Sequence, residues 1–229
     1  MVKAKVFKIV LCLMLLGIVA SVLPATAQVT VLKLFDTFPA GSQGQNGWWL
    51  HSYEPATDTR ILLDWTGAYE FRMSSQYSQG RIPMFKRLTD SIAAHPGLNP
   101  SGQDRLAVLS YVVPVAGTYT FSVVFSNGAA PNSCSTKAYV YVVPKDSGPW
   151  LNTPIFEDTV SGTKTASTGP ITVNVNAGDR IRFAISGMGD VNSDTTLIRD
   201  QLISTVPEPG SLAALASGLV GLLALRRRK

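Results

Sequence analysis

The sequence predicts an all-β chain, a single antiparallel sandwich of two sheets of the jelly-roll kind. Three observations predict it: apolar and polar residues alternate with a period of two, Gly, Pro and Asn separate the alternating segments, and no segment between the chain ends sustains a 3.6-residue apolar stripe. Successive side chains of a strand point to opposite faces, so such alternation with one apolar face marks a half-buried antiparallel strand.

In chain order, Val29–Phe35, Ile61–Trp65 and Tyr69–Met73 are the first strand candidates. Leu106–Val113 and Thr118–Phe125 follow. In the latter, Tyr119, Phe121, Val123 and Phe125 face one way while Thr120 and Ser122 face the other. Pro114-Val115-Ala116-Gly117 joins these two as a hairpin, and Ala138–Val143 comes next. Ile171, Val173 and Val175 alternate with Thr172 and Asn174; Ile181, Phe183 and Ile185 alternate with Arg180, Arg182 and Ala184. The link Asn176–Asp179 is short and contains Gly, which makes this pair a second expected hairpin. Thr196–Ile203 is the last candidate strand.

The two ends are organised differently. Lys3, Lys5 and Lys8 precede an apolar run from Ile9 to Val22, and Ala25-Thr26-Ala27 supplies the small residues a signal peptidase reads. Residues 1–27 are therefore expected to be a signal peptide, with Gln28 opening the mature chain. At the other end, Pro207-Glu208-Pro209 forms a rigid extended turn. Residues 211–225 carry no charge, and as a helix they would reach roughly 22 Å, a marginal span of a bilayer core of about 30 Å. Arg226, Arg227, Arg228 and Lys229 close the chain as a cationic stop on the cytoplasmic side.

This tail resembles the PEP-CTERM sorting signal, whose three parts are present in order over residues 207–229. The resemblance implies a Gram-negative exosortase as processing partner and a cell-envelope or extracellular destination. The domain plan is then signal peptide 1–27, β-sandwich 28–205 and sorting segment 206–229. A second resemblance lies between the ends. His95-Pro96, Pro114 to Tyr119, Gly178 to Phe183 and Asp194-Thr195 match a domain common among exported proteins with such tails, although the usual central strand is weak where "YVYVVPKDSGPW" stands. That domain is thought to resemble carbohydrate-binding jelly rolls, and it implies architecture without activity.

Charge and cysteine usage narrow the function classes. Of 20 basic and 15 acidic residues, the signal and tail hold three lysines, four terminal cations and Glu208, leaving 13 basic against 14 acidic on the domain. That balance provides no basic patch for nucleic acid. Cys134 is the one cysteine of the mature chain, so no intramolecular disulfide is expected.

No catalytic set is expected. His51 and His95 stand outside any ligand-spaced cluster, and no Gly-x-Ser-x-Gly elbow occurs. Glycoside hydrolysis would need two facing carboxylates, for which Glu54, Asp58, Asp64 and Glu70 are the candidates. Asp190, Asn192 and Asp194 are a weak calcium candidate, with Thr195 where the turn glycine belongs and Gln201 in place of a bidentate glutamate, so no cofactor is expected. The best binding hint is aromatic. Trp48, Trp49 and Tyr53 follow the flexible stretch "AGSQGQNG", and on a strand only one of the two tryptophans can face the core. The expected function is a non-catalytic envelope or matrix protein holding exopolysaccharide; a polysaccharide hydrolase and a purely structural matrix component are the alternatives.

Overall fold

The computed structural model describes residues 30–73, 83–128, 135–146, 150–190 and 194–207. The expected signal peptide, Cys134, Asn192 and the tail beyond Pro207 lie outside the described residues. The sandwich occupies Thr30–Thr205. Its strands are β1 (Thr30–Lys33), β2 (Trp48–Glu54), β3 (Thr59–Leu62), β4 (Asp64–Gly67), β5 (Glu70–Arg72), β6 (Met84–Arg87), β7 (Ile92–His95) and β8 (Gly97–Leu98). They continue as β9 (Asp104–Val112), β10 (Gly117–Asn127), β11 (Ser135–Val143), β12 (Phe156–Ser161), β13 (Ala166–Ser167), β14 (Ile171–Val175), β15 (Arg180–Ser186) and β16 (Thr196–Pro207).

Two antiparallel sheets result. Sheet A runs β13-β10-β16-β7-β6-β5-β4, with β14 also beside β10 and β1 beside β16; sheet B runs β12-β11-β15-β9-β2-β3, with β8 beside β9. The all-β sandwich read from the sequence is what the chain forms. Two short helical pieces depart from it: Leu34–Thr37 make one helical turn that replaces the end of the first candidate strand, and Gln45–Gly47 form a 3₁₀ turn. Ile61–Trp65 is likewise two strands, β3 in sheet B and β4 in sheet A, parted at Leu63.

Neither expected hairpin exists. β9 and β15 pair with each other in sheet B, while β10 and β14 pair with each other in sheet A. The links 113–116 and 176–179 therefore carry a two-stranded ribbon around the edge of the sandwich. Gly178 N–H donates to Val113 O at 2.8 Å and Val113 N–H to Asp179 O at 2.9 Å, so the ribbon stays bonded through the bend. Buried Asp179 accepts from Asn176 N–H (2.8 Å) and Lys145 N–H (2.9 Å), and the Tyr119 hydroxyl donates to Val115 O at 2.9 Å. Gly178 has φ +91°, and a Cβ there would lie 2.8 Å from Lys145 Cδ, so this corner requires glycine. An arch and a hairpin bury the same alternate residues. In the arch those residues face each other across the core, which alternation alone does not distinguish.

Between the sheets the inward residues form one apolar core. Trp48, Phe121, Phe125, Phe183, Ile181 and Leu50 are among its fully buried members. Phe121 of sheet A meets Phe183 of sheet B edge-on at 6.1 Å, and Trp48 lies 5.0 Å from Tyr111.

Candidate functional site

The outer face of sheet B also buries side chains. A second apolar cluster there includes Tyr53, Leu106, Val108, Tyr141, Trp150 and Ala184. These residues alternate with core members along every strand concerned, so the two clusters lie on opposite faces. The ladders set Trp49, Ser110, Arg182 and Tyr141 in one row across β2, β9, β15 and β11. The next row is His51, Val108, Ala184 and Tyr139.

The adjacent tryptophans divide as the strand period demands. Trp48 is fully buried in the core and its indole N–H donates to Thr37 Oγ1 at 3.0 Å. It is therefore unavailable to any ligand, which removes it from the three aromatic candidates. Trp49 and Tyr53 share the outer face. The stretch expected to be flexible is instead pinned. Gln43 Nε2 donates to Leu50 O and Leu63 O at 3.0 and 2.7 Å, its Oε1 accepts from Leu50 N–H at 2.8 Å, and Asn46 Nδ2 donates to Thr37 O at 3.0 Å. Half-buried Trp49 packs on Gly44, where φ is +82° and a Cβ would sit 2.9 Å from the indole.

Trp150 lies over the middle of this face. Its ring is 4.1 Å from the Arg182 guanidinium, 5.0 Å from the His51 ring and 4.8 Å from the Tyr53 ring. Arg182 Nη1 donates to the Trp150 carbonyl, and Asn152 Nδ2 donates to Val142 O at 3.0 Å, holding the segment against β11. Arg182 is only 2% exposed. A guanidinium stacked on indole recovers part of its lost hydration through the ring quadrupole. Even so, Arg182 Nε, Ser110 Oγ and His51 Nδ1 are buried with no hydrogen-bond partner among the described residues.

The electrostatics follow from that crowding. Burial, then the charges of Arg182, Arg180 and Arg60, lower His51 from 6.5 to about 3, so it is a neutral imidazole at any ordinary pH. Burial first, then Arg180 and Arg60, lower Arg182 to about 9. Tyr53 is raised to about 12 by burial and by its 2.8 Å hydrogen bond to Asp58. Burial likewise raises Tyr139 and Tyr141.

The other sequence candidates are scattered. Glu54 binds Arg105 at 3.4 Å and accepts from Asn99 Nδ2; Asp58 accepts from Tyr53. Asp64 and Glu70 belong to sheet A, where Glu70 pairs with Arg72 and with Lys86 at 3.6 Å. The four carboxylates are thus divided between the two sheets. Half-buried His95 turns its Nδ1 onto Pro96 O at 2.5 Å, and His51 sits on the opposite sheet. Asp190 is exposed and Asp194 buried, and no cluster of three His, Cys, Asp or Glu side chains placed for a metal occurs among the described residues.

Sequence reasoning missed Trp150, Arg182 and the outward tyrosines of β11. Their signal was present. Arg180 and Arg182 alternate with Ile181 and Phe183, and Tyr139 and Tyr141 alternate with Ala138 and Val140, but a period of two assigns such residues to solvent by default.

The chain's last residues join Pro207-Glu208-Pro209, an uncharged apolar run and four cations in that order. Residues 205–229 match the PEP-CTERM protein-sorting motif. The PEP-CTERM tail implies an exported exosortase substrate of the cell envelope or extracellular space. No helix among the described residues is long and apolar enough to cross a membrane. No curated protein matches the chain by sequence. Among solved structures it is similar to a family 4 carbohydrate-binding module, at 13% identity and TM-score 0.39 over 76% of this chain and 98% of that one. It is also similar to the CBM22-1 xylan-binding domain from Paenibacillus barcinonensis, at 12% identity and TM-score 0.36 over 74% and 91% of the two chains. A third similarity is to the K1 cleaved adhesin domain of Lys-gingipain from Porphyromonas gingivalis, at 12% identity and TM-score 0.33 over 79% and 99%.

Proposed function

We propose that this PEP-CTERM protein is a non-catalytic polysaccharide-binding module whose ligand lies along the outer face of sheet B. Residues 1–27 direct export and are removed by signal peptidase, and an exosortase acts on the tail once the sandwich has crossed the membrane. One observation carries the binding reading: on the face turned away from the core, half-buried Trp49 and Tyr139 reach the surface beside half-buried His51 and Arg180, over a buried layer of Tyr53, Tyr141 and Trp150. Aromatic rings stack on the apolar face of a sugar while polar neighbours bond its hydroxyls.

Affinity electrophoresis of the full chain in non-ionic detergent tests this. Retardation by a polysaccharide, lost in Trp49→Ala and kept in Tyr69→Ala on sheet A, is the expected result. Equal retardation of both variants would remove the binding face from sheet B. Release of reducing ends by the wild-type chain, abolished by Glu54→Gln or Asp58→Asn, would make it a hydrolase instead.

A further inference from the structure

We infer that the sorting tail is latched by the fold: an exosortase takes Pro207-Glu208-Pro209 only from chains in which the pairing of β1 with β16 has opened. The inference rests on the tail processing proposed above and adds its control.

The sheet and the sorting segment overlap. β16 runs from Thr196 to Pro207, so the last strand of the sandwich ends on the first residue of the proline tripeptide. The matched motif, residues 205–229, begins inside that strand. The ladder to β1 pairs Lys33 with Leu202, Leu32 with Ile203, Val31 with Ser204 and Thr30 with Thr205. Pairing therefore continues to two residues before Pro207, with no spacer between sheet and motif. Ile203 is fully buried in the core, and half-buried Ser204 donates its hydroxyl to Thr120 O of β10 at 3.3 Å. β16 thus reaches the motif between neighbours only one strand spacing away, about 4.8 Å.

An enzyme that cuts or transfers a peptide holds it extended in a groove and bonds its free backbone edge, as in strand addition. The residues just before Pro207 meet neither condition while β1 is docked, because their edge is taken and a groove wall has no room to close on them. β1 is the neighbour that gives way. It has four residues and, among the described residues, pairs with β16 alone. β10 has eleven residues and pairs with β13, β14 and β16. Short edge elements with few pairings open at low free energy while the rest of the sheet stays closed. β1 also starts two residues after Gln28, the expected first residue of the mature chain. The segment nearest one export signal therefore closes over the segment nearest the other.

A reversible lock tests this. Val31→Cys with Ser204→Cys puts a disulfide across register partners, whose Cα separation of about 4.5–5.5 Å suits one. Cys134→Ser in the same chain removes the competing thiol. Full chain is incubated with membranes of exosortase-bearing cells, with and without reductant, and loss of Arg226–Lys229 is followed by mass spectrometry. The oxidised lock should slow that loss tenfold or more, and reductant should restore it. A matching lock of Thr120→Cys with Thr172→Cys, partners in β10 and β14, should leave it unchanged. A Gly/Ser insert of about eight residues between Val206 and Pro207, reaching about 26 Å when extended, should return the locked chain to the wild-type rate. Processing of the locked chain at the wild-type rate would overturn the latch and leave tail processing standing. A locked chain that the insert fails to rescue would overturn it too. Failure of the wild-type chain to lose its C-terminal residues would remove the parent reading as well.

Discussion

The two faces of sheet B are built from the same strands and obey opposite rules. On the inner face of β15, Ile181, Phe183 and Ile185 pack into a continuous apolar core; on the outer face, one residue away, Arg182 stands against a tryptophan. Both of these neighbours are shut off from water, Phe183 and Arg182 being 0% and 2% exposed. Burial of Phe183 stabilises by about 1.5–3 kcal/mol of transfer free energy. Burial of Arg182 stabilises far less, because a guanidinium gives up its hydration and regains only a ring and one carbonyl. The difference separates what the fold needs from what it carries for another purpose.

The tryptophan pair breaks that comparison most sharply. Trp48→Ala, on the inner face, should cost about 3–5 kcal/mol in urea unfolding, through the lost ring and the cavity left behind. A cost below about 1 kcal/mol would mean the inner face is not the core. Arg182→Met should act in the other direction. Replacing a buried charge by an apolar side chain of similar length is neutral or stabilising, by up to about 4 kcal/mol, so thermal melting should not fall. A melt well below wild type would make Arg182 a structural pillar.

A pH series sharpens the same point. Unfolded His51 takes its proton near 6.5, and the folded one only near about 3. Between those values the unfolded chain holds the extra proton, so stability should decline as pH is lowered through that window. His51→Leu should flatten the decline, measured as urea midpoints. An imidazole that titrates near 6.5 by NMR in the folded chain would contradict the buried, cation-crowded face. The smallest stability change belongs to Trp49→Ala, on the outer face, which should cost less than about 1 kcal/mol while abolishing polysaccharide retention.

Much of the fold was legible because period-two alternation is a local property. β10, β14 and β15 lie within two residues of their expected positions. What alternation does not encode is which way a link turns. Asn176–Asp179 and Pro114–Gly117 join strands of different sheets, where Asp179 bonds across its own bend and to Lys145 N–H while the Tyr119 hydroxyl bonds Val115 O. The site was legible only in half. Trp49 and Tyr53 stood out as aromatics, whereas Arg182 looked like an ordinary solvent-facing partner of Phe183. Its burial depends on Trp150, 32 residues away in sequence, folding across the sheet.

The most direct test is hydroxyl-radical footprinting of the full chain with and without a saturating amount of a polysaccharide that retards it in affinity electrophoresis. The account predicts protection of Trp49 and Tyr139 on sheet B and no change at exposed Tyr69 on sheet A. Protection at Tyr69 with Trp49 and Tyr139 unchanged would contradict it.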